Sequence, residues 1–110
     1  MQVRENKIAE RVRRAEKLCG SHIGLNDIVI AELMGYGGFD FIWIDTEHTT
    51  IDYQTLMLQI DAVQKTGTAA FVRLSMGDRN HTKRVLEMGP DGVIFPMINT
   101  PEEADFAMKS

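Results

Sequence analysis

Residues 39–45, Phe39-Asp-Phe-Ile-Trp-Ile-Asp45, constrain the fold more than any other stretch. The centre of this segment is apolar at consecutive positions, the pattern of a strand buried on both sides in a parallel sheet. Parallel neighbours need crossover connections, so helical segments should alternate with further strands. They do. Ser21 to Leu25 reads as a short strand, and Asn26 or Asp27 can cap a helix over Ile28 to Met34 that Gly35, Gly37 and Gly38 stop. A helix over about Asp52 to Lys65 lines up Leu56, Ile60 and Val63, with Gly67 as its stop. Thr68 to Ser75 is a third strand, Asn80 to Met88 a helix ending at Gly89, and Gly92 to Ile98 a fourth strand. Thr100-Pro101-Glu102-Glu103 opens a last helix, with threonine as cap, proline in the first turn and Glu103 at the capping-box position. Ahead of all this, Glu5 to Leu18 spaces Ile8, Val12 and Ala15 as one stripe of an amphipathic helix ending before Gly20.

Four β-α units in succession imply parallel strands with right-handed crossovers in one α/β domain, residues 1–110. A small, doubly wound open sheet fits that length. A complete (β/α)8 barrel does not, since it needs about 250 residues. Charge and composition narrow the function. Twelve Lys and Arg against 16 Asp and Glu leave a formal charge of −4, which argues against nucleic acid as a partner. The longest apolar stretch, Ile28 to Met34, is interrupted by Glu32, so no segment approaches a membrane span and no membrane partner is expected. Residues 1–7 contain no apolar run of the secretory type, and the single cysteine, Cys19, cannot form an intrachain disulfide; both fit a cytoplasmic protein.

In a parallel sheet, whatever follows each strand collects at the carboxyl rim. That rim would gather His22, then Asp45, Glu47 and His48, then Arg73, and finally Pro96, Met97 and Asn99. His48 is the best candidate acid/base, because imidazole exchanges a proton near neutral pH. Asp45, three residues earlier, can hold one ring nitrogen while the other faces substrate. The plainer reading is a loop histidine beside a solvated carboxylate. Arg73 interrupts an apolar strand, where a guanidinium needs an anion: either a salt bridge to Asp45 or Glu47, or a carboxylate or oxyanion of a ligand. His22 reads equally as a strand-end structural residue, and His81 as solvated near a helix start. Asp, Glu and His within four residues do not make a metal site unaided. Gly35-Tyr-Gly-Gly38 precedes a strand, the wrong context for a phosphate loop.

Three ordered segments, Phe41-Ile-Trp-Ile-Asp-Thr-Glu-His48, Phe71-Val-Arg-Leu74 and Gly92-Val-Ile-Phe-Pro-Met97, together with the preceding Gly-Tyr-Gly-Gly-Phe-Asp, resemble the HpcH/HpaI aldolase family. The similarity runs from about Gly20 onward. It implies the amino-terminal half of a (β/α)8 barrel, truncated at the carboxyl end, and metal-dependent aldol cleavage or addition of 2-oxo-4-hydroxy acids, with pyruvate and an aldehyde as the small-molecule partners. By resemblance His48 would be the acid/base acting through water, Asp45 would orient it, and Arg73 would bind the keto acid and stabilise the pyruvate enolate; His22, taken from its place on the rim and not from the resemblance, is a further candidate substrate-binding residue. The divalent cation (Mg2+, Mn2+ or Co2+) would take its ligands from positions beyond Ser110, so the fragment alone would hold none and be inactive. A homo-oligomer is expected. The contrasting expectation is a non-enzymatic open α/β module that binds an anion or a partner chain.

Overall fold

The computed structural model describes residues 6–46, 52–75, 79–96 and 99–109. Helix α1 (Lys7–Arg13) precedes β1 (Gly20–Ile23), α2 (Ile28–Gly35), β2 (Phe41–Asp45), α3 (Tyr53–Gln64), β3 (Ala69–Arg73), α4 (Arg79–Glu87), β4 (Gly92–Ile94) and α5 (Pro101–Met108). The four strands form one sheet in the order β1-β2-β3-β4, and every pair is parallel.

Strictly sequential order matters, because right-handed crossovers between successive neighbours carry all the connecting helices to the same face. A doubly wound sheet reverses direction and covers both faces. Here Ile23, Ile42, Ile44, Ala70, Val72 and Leu74 form one buried layer beneath Ala31 of α2, Leu56, Ile60 and Val63 of α3, and Val85 of α4. The other face carries His22, Phe41, Trp43, Phe71 and Arg73, exposed or half-buried. The β2 segment is therefore buried on one side, not two. Both of its faces are apolar because the second is of the kind that lines a barrel interior, which these four strands cannot close by themselves.

The paired residues on that open face fall into levels. Gly20, Phe41 and Ala69 stand abreast; above them come His22, Trp43, Phe71 and Gly92; above those, Asp45, Arg73 and Ile94. In the lowest level small residues flank the large Phe41. A Cβ on Gly20 would lie 2.3 Å from the Phe41 ring, so glycine there makes room for the aromatic beside it.

Side-chain caps set the helix starts. Asp27 accepts from Val29 and Ile30 N–H at the head of α2, Asp52 from Thr55 N–H at the head of α3, and Thr100 from Glu103 N–H at the head of α5. Gly67 and Gly89 end their helices with positive φ, as the sequence implies. The first helix departs from expectation: it stops at Arg13, not near Leu18. Ala15 N–H donates to Val12 O and Glu16 N–H to Arg11 O, the Schellman pattern, with Ala15 itself in the left-handed region at φ 56°. Of the expected stripe only Ile8 is buried, while Val12 and Ala15 face solvent. Arg11 instead reaches Asp40 at 2.7 Å, pinning α1 beneath the amino end of β2. The fourth strand is also shorter than expected, ending at Ile94.

Candidate active site

All four strands run the same way, so their carboxyl ends share one rim, and two of the expected residues meet there. Asp45 closes β2 and Arg73 closes β3, directly opposite in the register. Arg73 Nη1 lies 3.9 Å from Asp45 Oδ2. The carboxylate is almost buried, its side chain 10% exposed, while the Arg73 side chain is 28% exposed. A carboxylate so far out of water needs a cation beside it, which Arg73 supplies while still reaching solvent. The salt-bridge reading of Arg73 thus holds for Asp45, and it is compatible with a ligand role because part of the Arg73 side chain reaches solvent.

The backbone beneath Arg73 is fixed by a residue that the sequence did not single out. Thr46, buried just past β2, donates both its N–H (3.0 Å) and its hydroxyl to Arg73 O. Leu74 N–H in turn bonds Ile94 O at 2.9 Å, tying the exit of β3 to β4. His22 stands one level lower, in register with Trp43, and meets the indole edge-on with ring centroids 5.4 Å apart. Trp43 also lies under Arg73, whose Cζ is 5.2 Å from the ring centre. Thus His22 connects to Arg73 through the indole.

His81 is not the solvated residue expected. Its Nδ1 is 2.6 Å from Tyr53 Oη, at the start of α3, and its Nε2 is 3.2 Å from Ser75 Oγ and 3.4 Å from Ser75 N. An N–H can only donate, so in the neutral ring Nε2 accepts and Nδ1 carries the proton toward Tyr53. The imidazole therefore braces α3, α4 and the exit of β3 two residues past Arg73. No local spacing announces a contact between residues 53 and 81; alternation along β2, by contrast, places Trp43 on the face of Asp45.

His48, the expected acid/base, lies outside the described residues, as do Glu47 and Met97. Pro96 is half-buried just past β4, and Asn99 precedes α5, where its N–H donates to Glu103. Among the described residues no three His, Cys, Asp or Glu side chains gather closely enough to hold a metal ion. Asp45 is a single rim carboxylate facing a guanidinium, which falls short of the several oxygens a hard divalent cation requires. The described residues do not by themselves fit such a cation. A cleft of about 500 Å³ bounded by Ile8, Arg11, Asp40 and Asp91 lies at the opposite, amino end of the strands. Among the described residues no helix is long and apolar enough to cross a membrane.

A parallel sheet wound in one direction, with its helices on one face, is the arrangement of a (β/α) barrel. The sequence matches the HpcH/HpaI aldolase/citrate lyase family over residues 19–110, and the chain belongs to that family. It is 34% identical over 104 residues to hydroxypyruvate/pyruvate aldolase of Delftia acidovorans, covering 94% of this chain and 39% of the relative. It is 30% identical over 106 residues to 4-hydroxy-2-oxo-heptane-1,7-dioate aldolase of Shigella sonnei, covering 96% and 40%. An HpcH/HpaI aldolase/citrate lyase family protein from Burkholderia cenocepacia superposes with a TM-score of 0.88 at 26% identity, over 96% of this chain and 42% of that one. The chain spans about 40% of the length of the curated relatives it matches. Its four units correspond to the amino-terminal half of a (β/α)8 barrel.

Proposed function

We propose that residues 1–110 form a partial (β/α)8 domain supplying the keto-acid-binding part of an aldolase that cleaves or forms 2-oxo-4-hydroxy acids, with pyruvate as the nucleophilic half. The observation that carries this reading is the pairing of Asp45 with a partly exposed Arg73 at the carboxyl ends of adjacent parallel strands. Family membership and the names of the two aldolase relatives support the substrate class.

In cleavage, a base takes the proton of the C4 hydroxyl, the C3–C4 bond breaks, the aldehyde leaves, and its bonding electrons become the pyruvate enolate. That enolate is then protonated at C3. Arg73 would bind the 2-oxo carboxylate through its planar fork and face the oxygen on which charge develops, where a preformed cation acts without reorganisation. His48 is proposed as the acid/base acting through water, Asp45 as its orienting partner, and His22 as a contact to the substrate. The family's divalent cation, Mg2+, Mn2+ or Co2+, belongs to the complete enzyme, and the 110 residues alone are proposed to be inactive. The complete enzyme is proposed to be a cytoplasmic homo-oligomer.

The test is pyruvate release from a 2-oxo-4-hydroxy acid by the barrel-length protein with added Mn2+. Arg73→Ala should lower kcat/KM by about 10²–10³-fold, the loss typical of one oxyanion stabiliser, and His48→Ala should remove the pH dependence of turnover. Activity that survives Arg73→Ala and His48→Ala together would overturn these roles.

A further inference from the structure

Trp43 is where Arg73 rests. It precedes Asp45 by two positions on β2, so both side chains stand on the open face of the sheet. The Arg73 Cζ lies over the indole at 5.2 Å from its centre, within the roughly 6 Å at which an aromatic face holds a cation, and tryptophan is the strongest of the aromatics for this. The Asp45 contact is different in kind. At 3.9 Å from Nη1 to Oδ2 it is an ion pair, a contact between charges along the sheet edge. The His22 ring of β1 also meets the indole, at an interplanar angle of 62°.

We infer that Trp43 is a positioning residue, holding the Arg73 guanidinium by its face and thereby presenting its N–H edge to a planar 2-oxo carboxylate. A guanidinium supported from below recognises a planar anion along its edge, where two parallel N–H···O bonds can form. The inference rests on the proposed role of Arg73 only for the identity of the ligand; the contact between ring and cation stands independently of it.

Trp43 is the single tryptophan of the chain, so its emission reports on this site alone. Three measurements on the 110-residue chain test the inference. By NMR, the Arg73 δ and ε protons should be displaced upfield relative to those of the other arginines by the indole ring current; Trp43→Leu should abolish the displacement and Trp43→Phe keep part of it. By calorimetry with oxalate, a planar mimic of the pyruvate enolate, Trp43→Leu should weaken binding about fivefold, Trp43→Phe should recover most of that loss, and Arg73→Met should remove binding. In the wild type, oxalate should change the Trp43 emission, and in Arg73→Met it should not. Undisplaced Arg73 protons in the wild type would overturn the inference without any variant. So would oxalate affinity unchanged in Trp43→Leu while Arg73→Met abolishes it. If the wild type takes up no oxalate, or Arg73→Met binds it equally well, the keto-acid reading falls instead, and the ring-current result still decides whether the indole holds the cation.

Discussion

The two faces of this sheet are built from the same few strands and could hardly differ more. Beneath the helices, Ile23, Ile42, Ile44, Ala70, Val72 and Leu74 are each no more than 2% exposed. On the other side, Phe41, Trp43 and Phe71 alternate with them residue by residue, yet stay in contact with solvent among His22 and Arg73. Alternation along a strand therefore separates two tasks within five residues: stability on one parity and, in the proposed function, ligand chemistry on the other. The open face is apolar as well, which is why strand-level hydrophobicity does not distinguish them; the difference lies in what covers each.

The sharpest way to break this contrast is to cut one residue from each side. Ile44→Ala should lower stability by about 3 kcal/mol, because the helices above cannot collapse into the space it leaves. Trp43→Leu, two carbon-rich side chains exchanged where no cavity is enclosed, should cost less than about 1.5 kcal/mol. Urea unfolding of both variants reads the difference directly. Equal losses would mean that the open face is packed against something in solution, such as a second copy of the chain.

A smaller effect probes how the covered face is pinned to its loops. Gln59 of α3 is fully buried, and its side-chain amide donates to Leu25 O (2.7 Å) and Asp27 O (3.2 Å) ahead of α2. Its own Oε1 is buried without a hydrogen-bond partner among the described residues. Gln59→Leu strands the Leu25 carbonyl, since that of Asp27 keeps the Ala31 N–H bond (3.2 Å), while removing that orphan, so the net loss should be about 1 kcal/mol, less than for Ile44→Ala. A stabilised Gln59→Leu chain, seen as a higher urea midpoint, would show that the orphaned oxygen outweighs both bonds.

Much of this was legible in the sequence because it is local. The caps at Asp27 and Thr100, the glycine stops at 67 and 89, and the stripe of Leu56, Ile60 and Val63 each follow from neighbours within a turn or two. The meeting of Asp45 and Arg73 was legible one step up, since parallel strands gather their carboxyl ends. The end of α1 was not. Ala15 gives no hint of a left-handed residue, and Arg11 in the last turn is bound to Asp40, 29 positions away. His81 was missed for the same reason, as its partners come from two other elements. Trp43 was within reach: it shares the parity of Asp45, but apolar strand residues read as core until it is known which face is covered.

The smallest predicted effect lies at the amino end of the strands, remote from both the rim and the indole. Asp40 accepts hydrogen bonds from Cys19 N–H (2.8 Å) and Arg11 Nη1 (2.7 Å), and these, the backbone bond first, hold its carboxyl below the ordinary value of 3.8. Asp52, capping α3 through Thr55 N–H, is lowered in the same way. A carboxyl that is more acidic folded than unfolded contributes stability above its unfolded pKa and loses it as pH falls through the folded value. Stability should accordingly be flat near neutrality with respect to these groups and decline below about pH 4. Asp40→Asn keeps an oxygen for the Cys19 bond but cannot titrate, so the acid decline in its urea midpoint should be shallower than in the wild type, while Trp43→Leu should leave that decline unchanged. An acid limb altered by Trp43→Leu would mean that the open face and the amino end are coupled, and that the division of labour between the faces does not extend along the length of the strands.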